Sequence, residues 1–420
     1  PGLVFVAPRI ENGQSGMLIA DNRGEPVWFL APEIDYSEGL DFKVQHYRGQ
    51  PVLTWWEGAK PRGYGLGHYR IANAAYEQVA VVQVGNGLPG VDHHELIITR
   101  RDTALIGVYS PVAWDLSPYG GPADGTVLDQ VVQEVEIGTG RVLFEWHALD
   151  HLAIDESYKG VPSDPTTLYD YVHMNSIDED DAGNILISCR HLHAIVKIDR
   201  ASGEVLWRLN GKRSDFTMGE GASFAFQHDA RQQPDGRLSL LDNGTDSPNA
   251  DLPSRGIVLA LDLDAMTATL VREHIHPTGG TAFNQANLQL LPNGNAFIGW
   301  GPAPDLSEHG PDGDVRFHVR LPEGGQSYRA FRFPWIGTPA ARPDVAVADG
   351  TVYVSWNGAT EVASWRVLAG DDPQAMGLVR TAPRSGFETA IPIRTDAPFL
   401  VVQAVDHHGS VIGASDVVAR

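Results

Sequence analysis

Val196-Lys197-Ile198-Asp199-Arg200-Ala201-Ser202-Gly203, running on into Val205-Leu206-Trp207, is the clearest of a series of similar stretches. Apolar and polar residues alternate on both sides of an Asp-to-Gly turn, the pattern of two half-buried antiparallel strands. The same arrangement recurs at Ile19-Ala20-Asp21-Asn22-Arg23-Gly24 into Val27-Trp28, and at Val135-Glu136-Ile137-Gly138-Thr139-Gly140 into Leu143-Phe144-Glu145-Trp146. Looser copies cover His68 to Gln83, Ile257 to Arg272 and Val315 to Phe333. The six copies lie roughly 60 residues apart, the size of a propeller blade with its loops. A short apolar strand recurs ahead of these pairs, as Pro51-Val52-Leu53-Thr54, Thr103-Ala104-Leu105-Ile106, Gly183-Asn184-Ile185-Leu186-Ile187, Gly236-Arg237-Leu238-Ser239-Leu240 and Gly294-Asn295-Ala296-Phe297-Ile298. One more alternating run precedes each, giving about four strands per unit. Residues 1–338 are therefore expected to form a six-bladed β-propeller, with a strand from elsewhere in the chain completing the first blade.

From Pro339 the pattern changes to evenly spaced short strands: Val345-Ala346-Val347, Thr351 to Trp356, Glu361 to Trp365, Phe399 to Val402 and Val411-Ile412. Residues 339–420 are expected to form a small immunoglobulin- or fibronectin-III-like β-sandwich without evident chemistry of its own. The whole chain reads as all-β. Two insertions in the first part, Ser110 to Gln130 and Ala148 to Asp170, are expected to be long loops walling a binding face.

The 53 acidic residues against 31 Lys and Arg give a formal charge of −22, which repels phosphate backbones and argues against a nucleic-acid partner. An anionic small molecule can still be held where a few cations are focused inside a cleft. Cys189 is the only cysteine, so no intramolecular disulfide forms. No apolar run of about 18 residues exists to cross a membrane as a helix. The sequence begins at Pro1 without Met, and a secreted or periplasmic location is expected.

In a blade the first two strands are antiparallel, so the start of the first and the end of the second share a face. That register collects His93 and His94 with Tyr109, then His173 and Asn175 with Arg190 and His191. It continues with His228 and Asn243, then Asn284, Gln285 and Asn287 with Trp300; the first blade adds Trp55, Trp56 and Glu57. Taken singly, each reads equally well as a channel-lining group that satisfies neighbouring carbonyls. As a set they point to a site that binds or transforms a ligand. Arginine supplies a planar fork for an oxyanion, imidazole a nucleophile, base or donor, and the aromatic rings a stacking surface. Three histidines can also hold zinc, but such sites commonly add carboxylates and a neighbouring arginine repels the ion, so no metal is expected. The run Asp178 to Asn184 departs from calcium-loop spacing and reads as an acidic turn. No G-x-S-x-G elbow, H-E-x-x-H zinc helix or complete phosphate loop is present. Glu95 and Asp229 directly follow candidate histidines, and in a strand such neighbours face opposite sides.

His173-Met174-Asn175-Ser176, Arg190-His191, Ile198-Asp199 to Gly203-Glu204-Val205-Leu206-Trp207-Arg208-Leu209 and Phe226-Gln227-His228-Asp229-Ala230-Arg231 together resemble the arylsulfotransferase family of bacteria and fungi. Leu240-Leu241-Asp242-Asn243-Gly244, Ser254-Arg255-Gly256, Leu291 to Asn295 and Ser355 to Thr360 extend the resemblance over most of the chain. It implies a six-bladed propeller that moves a sulfuryl group from an aryl sulfate donor to a phenolic acceptor, with no cofactor and without the nucleotide donor PAPS. It also implies a transiently sulfated histidine. By motif position His228 is the nucleophile, with His173, Asn175, Arg190 and His94 holding the sulfuryl oxygens or handling protons, and His93 a rival to His94. His191, Tyr109, Asn243, Asn287, Trp300 and Trp55 complete the expected substrate surface. Two other readings stand beside this one: a divergent member with another reaction on an aromatic or anionic substrate, and a noncatalytic binding propeller.

Overall fold

The computed structural model describes residues 2–11, 13–32, 38–61, 63–247 and 253–419. The fold is all-β. Among the described residues, helix is limited to a single α-turn, Ala148–His151, and to 3-10 turns at Ser117–Tyr119, Ile154–Glu156 and Arg190–Leu192.

The Asp-to-Gly turns form for a local reason. Asp199 Oδ1 accepts the amides of Ala201 (3.0 Å) and Ser202 (2.7 Å), and Gly203 takes φ 79°, where a side chain is disfavoured. Asp21 does the same for Arg23 and Glu25, and Asp262 for Asp264 and Ala265.

These hairpins assemble into six mainly antiparallel sheets, with one parallel pairing in the third and one in the fifth, where Thr217–Met218 lies beside Thr267–Ile275. The second sheet comprises Glu38–Tyr47, Gln50–Ala59, Leu66–Ala72 and Gln78–Val82; the third, Leu96–Ile98, Thr103–Trp114, Gly125–Glu136 and Val142–His147. The fourth comprises Met174–Glu179, Ile185–Cys189, Ala194–Ile198 and Val205–Leu209, and the fifth His228–Gln232, Leu238–Asp242, Arg255–Asp262 and Thr267–Ile275. The sixth contains Asn287–Leu290, Ala296–Gly299, Asp305–His309 and Val315–Arg320. In the first, Gly325–Phe333 pairs with Leu3–Ile10, followed by Met17–Ala20 and Pro26–Leu30. The strand expected from elsewhere is thus residues 325–333. The looser copy at Val315 to Phe333 is corrected accordingly: its two strands belong to different sheets, and the true outer pair of the sixth is Asp305–His309 with Val315–Arg320. The first strands of successive sheets touch in turn, from Glu38–Tyr47 round to Asn287–Leu290, then Gly325–Phe333 and back to Glu38–Tyr47.

Each sheet buries both faces against its neighbours. Ile185 and Ile187 pack with Leu105, Val132 and Trp146 of the third sheet, while Leu186 between them packs with Leu238, Leu240 and Ile257 of the fifth. The period of two along the strand divides its side chains between two cores.

The first insertion is not a loop. Thr103–Trp114 and Gly125–Glu136 continue as a hairpin of 12 residues per strand, with Gly125 opposite Trp114. The second insertion lies against it through Leu168–Tyr169, which pairs parallel to Thr126 and Val127.

Beyond residue 339, Asp344–Ala348, Thr351–Ser355 and Glu388–Pro392 form one sheet; Gly377–Pro383, Ser364–Gly370, Phe399–Val405 and Val411–Ala414 form another. Alternate residues Val352, Val354, Trp365, Val367, Leu400 and Val402 make one core between them. This unit docks through the Ser355-to-Thr360 segment. Asn357 accepts from the Phe29 amide and donates to its carbonyl, both at 2.9 Å, while the Gly358 amide donates to Val27 O at 2.8 Å. A Cβ on Gly358 would lie 2.3 Å from the Tyr76 ring, and its φ of 92° also favours glycine.

Candidate active site

The histidines gather where the first strands of neighbouring sheets meet, and two of them are held by aspartates just upstream. Asp92 Oδ2 takes both the His94 amide (2.9 Å) and His94 Nδ1 (2.5 Å), and Asp92 Oδ1 accepts the Gly65 amide at 2.6 Å. His173 stands at φ 53° in the bend before Met174–Glu179, with its amide on Asp170 Oδ1 (3.0 Å) and its Nδ1 on Asp170 Oδ2 (2.5 Å). The rings form a chain: His93 to His94 at 3.9 Å, His94 to His173 at 5.0 Å and His173 to His191 at 4.8 Å between centroids. Tyr109 lies 5.9 Å from both His94 and His173, donates to Met174 O and stacks on Tyr64.

Arg190 and His191 occupy the 3-10 turn after Ile185–Cys189, which is bound to the bend by Arg190 N to His173 O (3.0 Å) and His191 N to Val172 O (2.9 Å). Arg190 Nη1 donates to His191 Nε2 at 3.0 Å and Nη2 to Phe283 O at 3.2 Å, with the guanidinium 5.0 Å over the Phe226 ring. His191 donates through Nδ1 to Asp170 O at 2.7 Å, so both of its ring nitrogens are engaged.

His228 opens the first strand of the fifth sheet. Its Nδ1 lies 2.8 Å from Asn243 Oδ1, and the Asn243 amide nitrogen donates to Ala282 O and Gln285 O. With the amide oriented by those two carbonyls, Nδ1 carries the proton and Nε2 the lone pair. The Gln285 amide approaches Nε2 at 3.2 Å from two consecutive left-handed residues, Gln285 at φ 57° and Ala286 at 79°. Asn175 donates to Gln227 O beside His228, and its Oδ1 is buried without a partner among the described residues.

Burial favours the neutral form of His93, His173, His191 and His228. Burial, with the Arg190 charge behind it, holds His228 well below the ordinary histidine pKa; burial, then His94 and Arg190, does the same to His173. His93 is lowered to about 3 by burial and His94, and His191 to about 2 by burial and His173. Burial opposes ionisation of Asp92, but His94 and His93 beside it hold the carboxyl well below its usual range.

Beneath the rings lies a buried ionic layer. Arg329 joins Asp41 (2.8 Å) and Glu95 (3.0 Å) and donates to Asn175 O; Glu95 also binds Lys43 and Arg231, and Arg231 binds Asp229. Glu95 and Asp229 therefore serve these cations rather than the histidines they follow. Tyr328 points its hydroxyl at His94 O and Asn175 O, each 3.4 Å away.

His94, His93, His173, His191, Arg190, His228, Asn175, Asn243 and Tyr109 thus share one site. Three expected residues do not. Trp55 packs on Trp28 and Phe42 in the core between the first two sheets, and its neighbour Trp56 faces His93 instead. Trp300 is packed against His276 and bonded to Ser307. Asn287 spends its amide on both backbone groups of Ala330, clamping the sixth sheet to Gly325–Phe333. Sequence reasoning missed Asp92 and Asp170, since strand alternation directs attention away from near neighbours and neither residue lies in a strand. The available signal was an acid two or three residues before each histidine.

Two groups among the described residues lie close enough to share a cation: Asp92, His93 and His94, and Asp170, His173 and His191. His94 and His173 have their Nδ1 atoms on the carboxylates, and Arg190 stands beside the second group. Two surface cavities elsewhere, of about 460 and 620 Å³, contain none of these side chains.

Several solved structures are similar at low identity. A protein of unknown function from Bacteroides caccae is 14% identical at a TM-score of 0.48, covering 79% of this chain and 98% of its own. The periplasmic gluconolactonase of Pseudomonas aeruginosa is 13% identical at 0.40 (94% and 99% covered), and a catalytically inactive virginiamycin B lyase from Staphylococcus aureus 11% at 0.38 (89% and 94%). No curated protein matches the chain. The arylsulfotransferase (ASST) family model matches residues 43–321, more than half of the sequence, and the chain belongs to that family.

Proposed function

We propose that the protein is an aryl-sulfate-dependent sulfotransferase working through a sulfo-histidine at His228, on a six-bladed propeller of residues 1–338 followed by a β-sandwich of residues 339–420. The cyclic contact of six first strands and the pairing of 325–333 with 3–10 support the propeller reading. The observation that carries the chemical reading is the His228 tautomer: Nδ1–H donates to Asn243 Oδ1, leaving the Nε2 lone pair of a buried neutral imidazole.

The steps follow from the groups present. His228 Nε2 gives up its long bond from the Gln285 amide and attacks the donor sulfur, and the sulfur–oxygen bond breaks with its electron pair leaving on the phenolate. Arg190, beside His173, stabilises negative charge on the equatorial oxygens, which grows in the transition state. In the second half-reaction the acceptor phenol attacks sulfur, the nitrogen–sulfur pair returns to Nε2, and the phenolic proton passes to a neighbouring imidazole. His94 and His173 both suit that duty, because each has Nδ1 on a carboxylate and an Nε2 with no partner among the described residues. The proton then returns to a later departing phenolate, closing the cycle.

The test is intact-protein mass spectrometry after brief mixing with 4-nitrophenyl sulfate, with nitrophenolate followed optically. A stoichiometric sulfuryl adduct on His228 that disappears on adding phenol is expected, and His228→Ala should form none. A nitrophenolate burst without an adduct, or an unchanged burst in His228→Ala, would overturn the assignment.

A further inference from the structure

Asp170 makes contacts that no single role of a substrate-binding residue requires. Its Oδ1 receives two donors, the His173 amide at 3.0 Å and Gln130 Nε2 at 3.3 Å; its Oδ2 receives only His173 Nδ1, at 2.5 Å. The orientation of Gln130 is set independently, because its Oε1 accepts the Met174 amide at 3.0 Å. The main-chain carbonyl of Asp170 takes His191 Nδ1, and His191 in turn accepts from Arg190. One residue, at the end of the second insertion, therefore ties the bend carrying His173 to the turn carrying Arg190.

We propose that Asp170 is a positioning residue that makes His173 the base for the acceptor: its carboxylate fixes the Nδ1–H tautomer so that the Nε2 lone pair faces the reacting phenol. This rests on the sulfuryl-transfer reading. Its Oδ2 has one partner only, so the proton lies between that oxygen and Nδ1. Asp170→Asn separates this role from simple burial. The amide has one acceptor oxygen, and two donors already converge where Oδ1 stands. Its NH2 group must then face His173 Nδ1, which becomes an acceptor, and the ring proton moves to Nε2. The lone pair is thereby removed from the reacting side while ring volume and backbone stay in place. The carbonyl of residue 170 is unchanged, so His191 and Arg190 keep their contacts and the donor half-reaction keeps its oxyanion fork.

Two readouts follow. In protein labelled with nitrogen-15 histidine, the His173 ring, identified by its loss in His173→Gln, should show Nδ1–H in the native protein and Nε2–H in Asp170→Asn. In transient kinetics Asp170→Asn should leave the nitrophenolate burst within about threefold, yet slow discharge of the adduct to phenol by about ten-thousandfold, the loss when an isosteric amide imposes the wrong histidine tautomer in a serine-protease triad. A native His173 bearing Nε2–H overturns the proposal whether or not the variant folds. An Nδ1–H signal retained in a folded Asp170→Asn, or equal slowing of burst and discharge, overturns it too. The tautomer readout requires no turnover, so absence of sulfuryl transfer in the native protein would refute the proposed function while leaving the positioning claim to be judged by the spectra.

Discussion

Arg329→Met tests the ionic layer beneath the site. The side chain is fully buried, and its guanidinium bonds Asp41 at 2.8 Å, Glu95 at 3.0 Å and Asn175 O at 3.0 Å, with Asp229 at 3.5 Å. Methionine approximates the volume without the charge, leaving Asp41, Glu95 and Asp229 to Lys43 and Arg231 alone. Breaking a buried pair from one side costs about 3–5 kcal/mol, because the remaining charge stays desolvated. That range applies here, since Asp41 and Asp229, on strands of different sheets, and Glu95, just before Leu96–Ile98, are all fully buried. The cost should depend on pH with a defined sign. In the native protein burial raises the Glu95 pKa but Arg231, Arg329 and Lys43 lower it to about 2, so its contribution is present above its unfolded value and lost as pH falls through about 2. Without Arg329 that value rises, Glu95 protonates more readily, and the penalty shrinks on acidification. Urea unfolding at pH 7 and pH 4.5, followed by tryptophan fluorescence, gives both numbers. A loss below about 1 kcal/mol at pH 7, or one that grows at pH 4.5, would refute the account, since the first is within the range of exposed pairs.

Other outcomes are equally defined. Asn357→Ala removes both bonds to Phe29 and should cost about 1–2 kcal/mol; hydrogen exchange should rise across residues 339–419 while the six sheets stay protected. Four site histidines lowered by burial, His93, His173, His191 and His228, take up protons on unfolding, as do His193, His274, His276 and His309, lowered for the same reason. Stability should therefore rise with pH up to about 6.5, the unfolded value, and fall steadily below it; a flat melting temperature between pH 5 and 7 would contradict this.

The sequence by itself determined the local geometry. Alternation of apolar residues marks a strand, and an Asp followed by Gly closes its turn through side-chain-to-amide bonds, both interactions within a few residues. The same locality made the motif around His173, Asn175 and Arg190 legible, since the bend and turn that present them are contiguous with their strands. Tertiary structure decided the rest. Alternation states that a strand has two faces but not which strand lies beside it, so only the fold could give Leu3–Ile10 its partner more than 300 residues away and divide Val315 to Phe333 between two sheets. The long hairpin at 103–136 contradicted its Pro- and Gly-rich composition because paired backbone groups and the packing of 168–169 against it outweighed local preference. Trp55, Trp300 and Asn287 share the predicted register yet serve packing or backbone bonds, because a position near the site does not fix what a side chain meets. Asp92 and Asp170 became partners of His94 and His173 because bends, unlike strands, turn near neighbours toward one another.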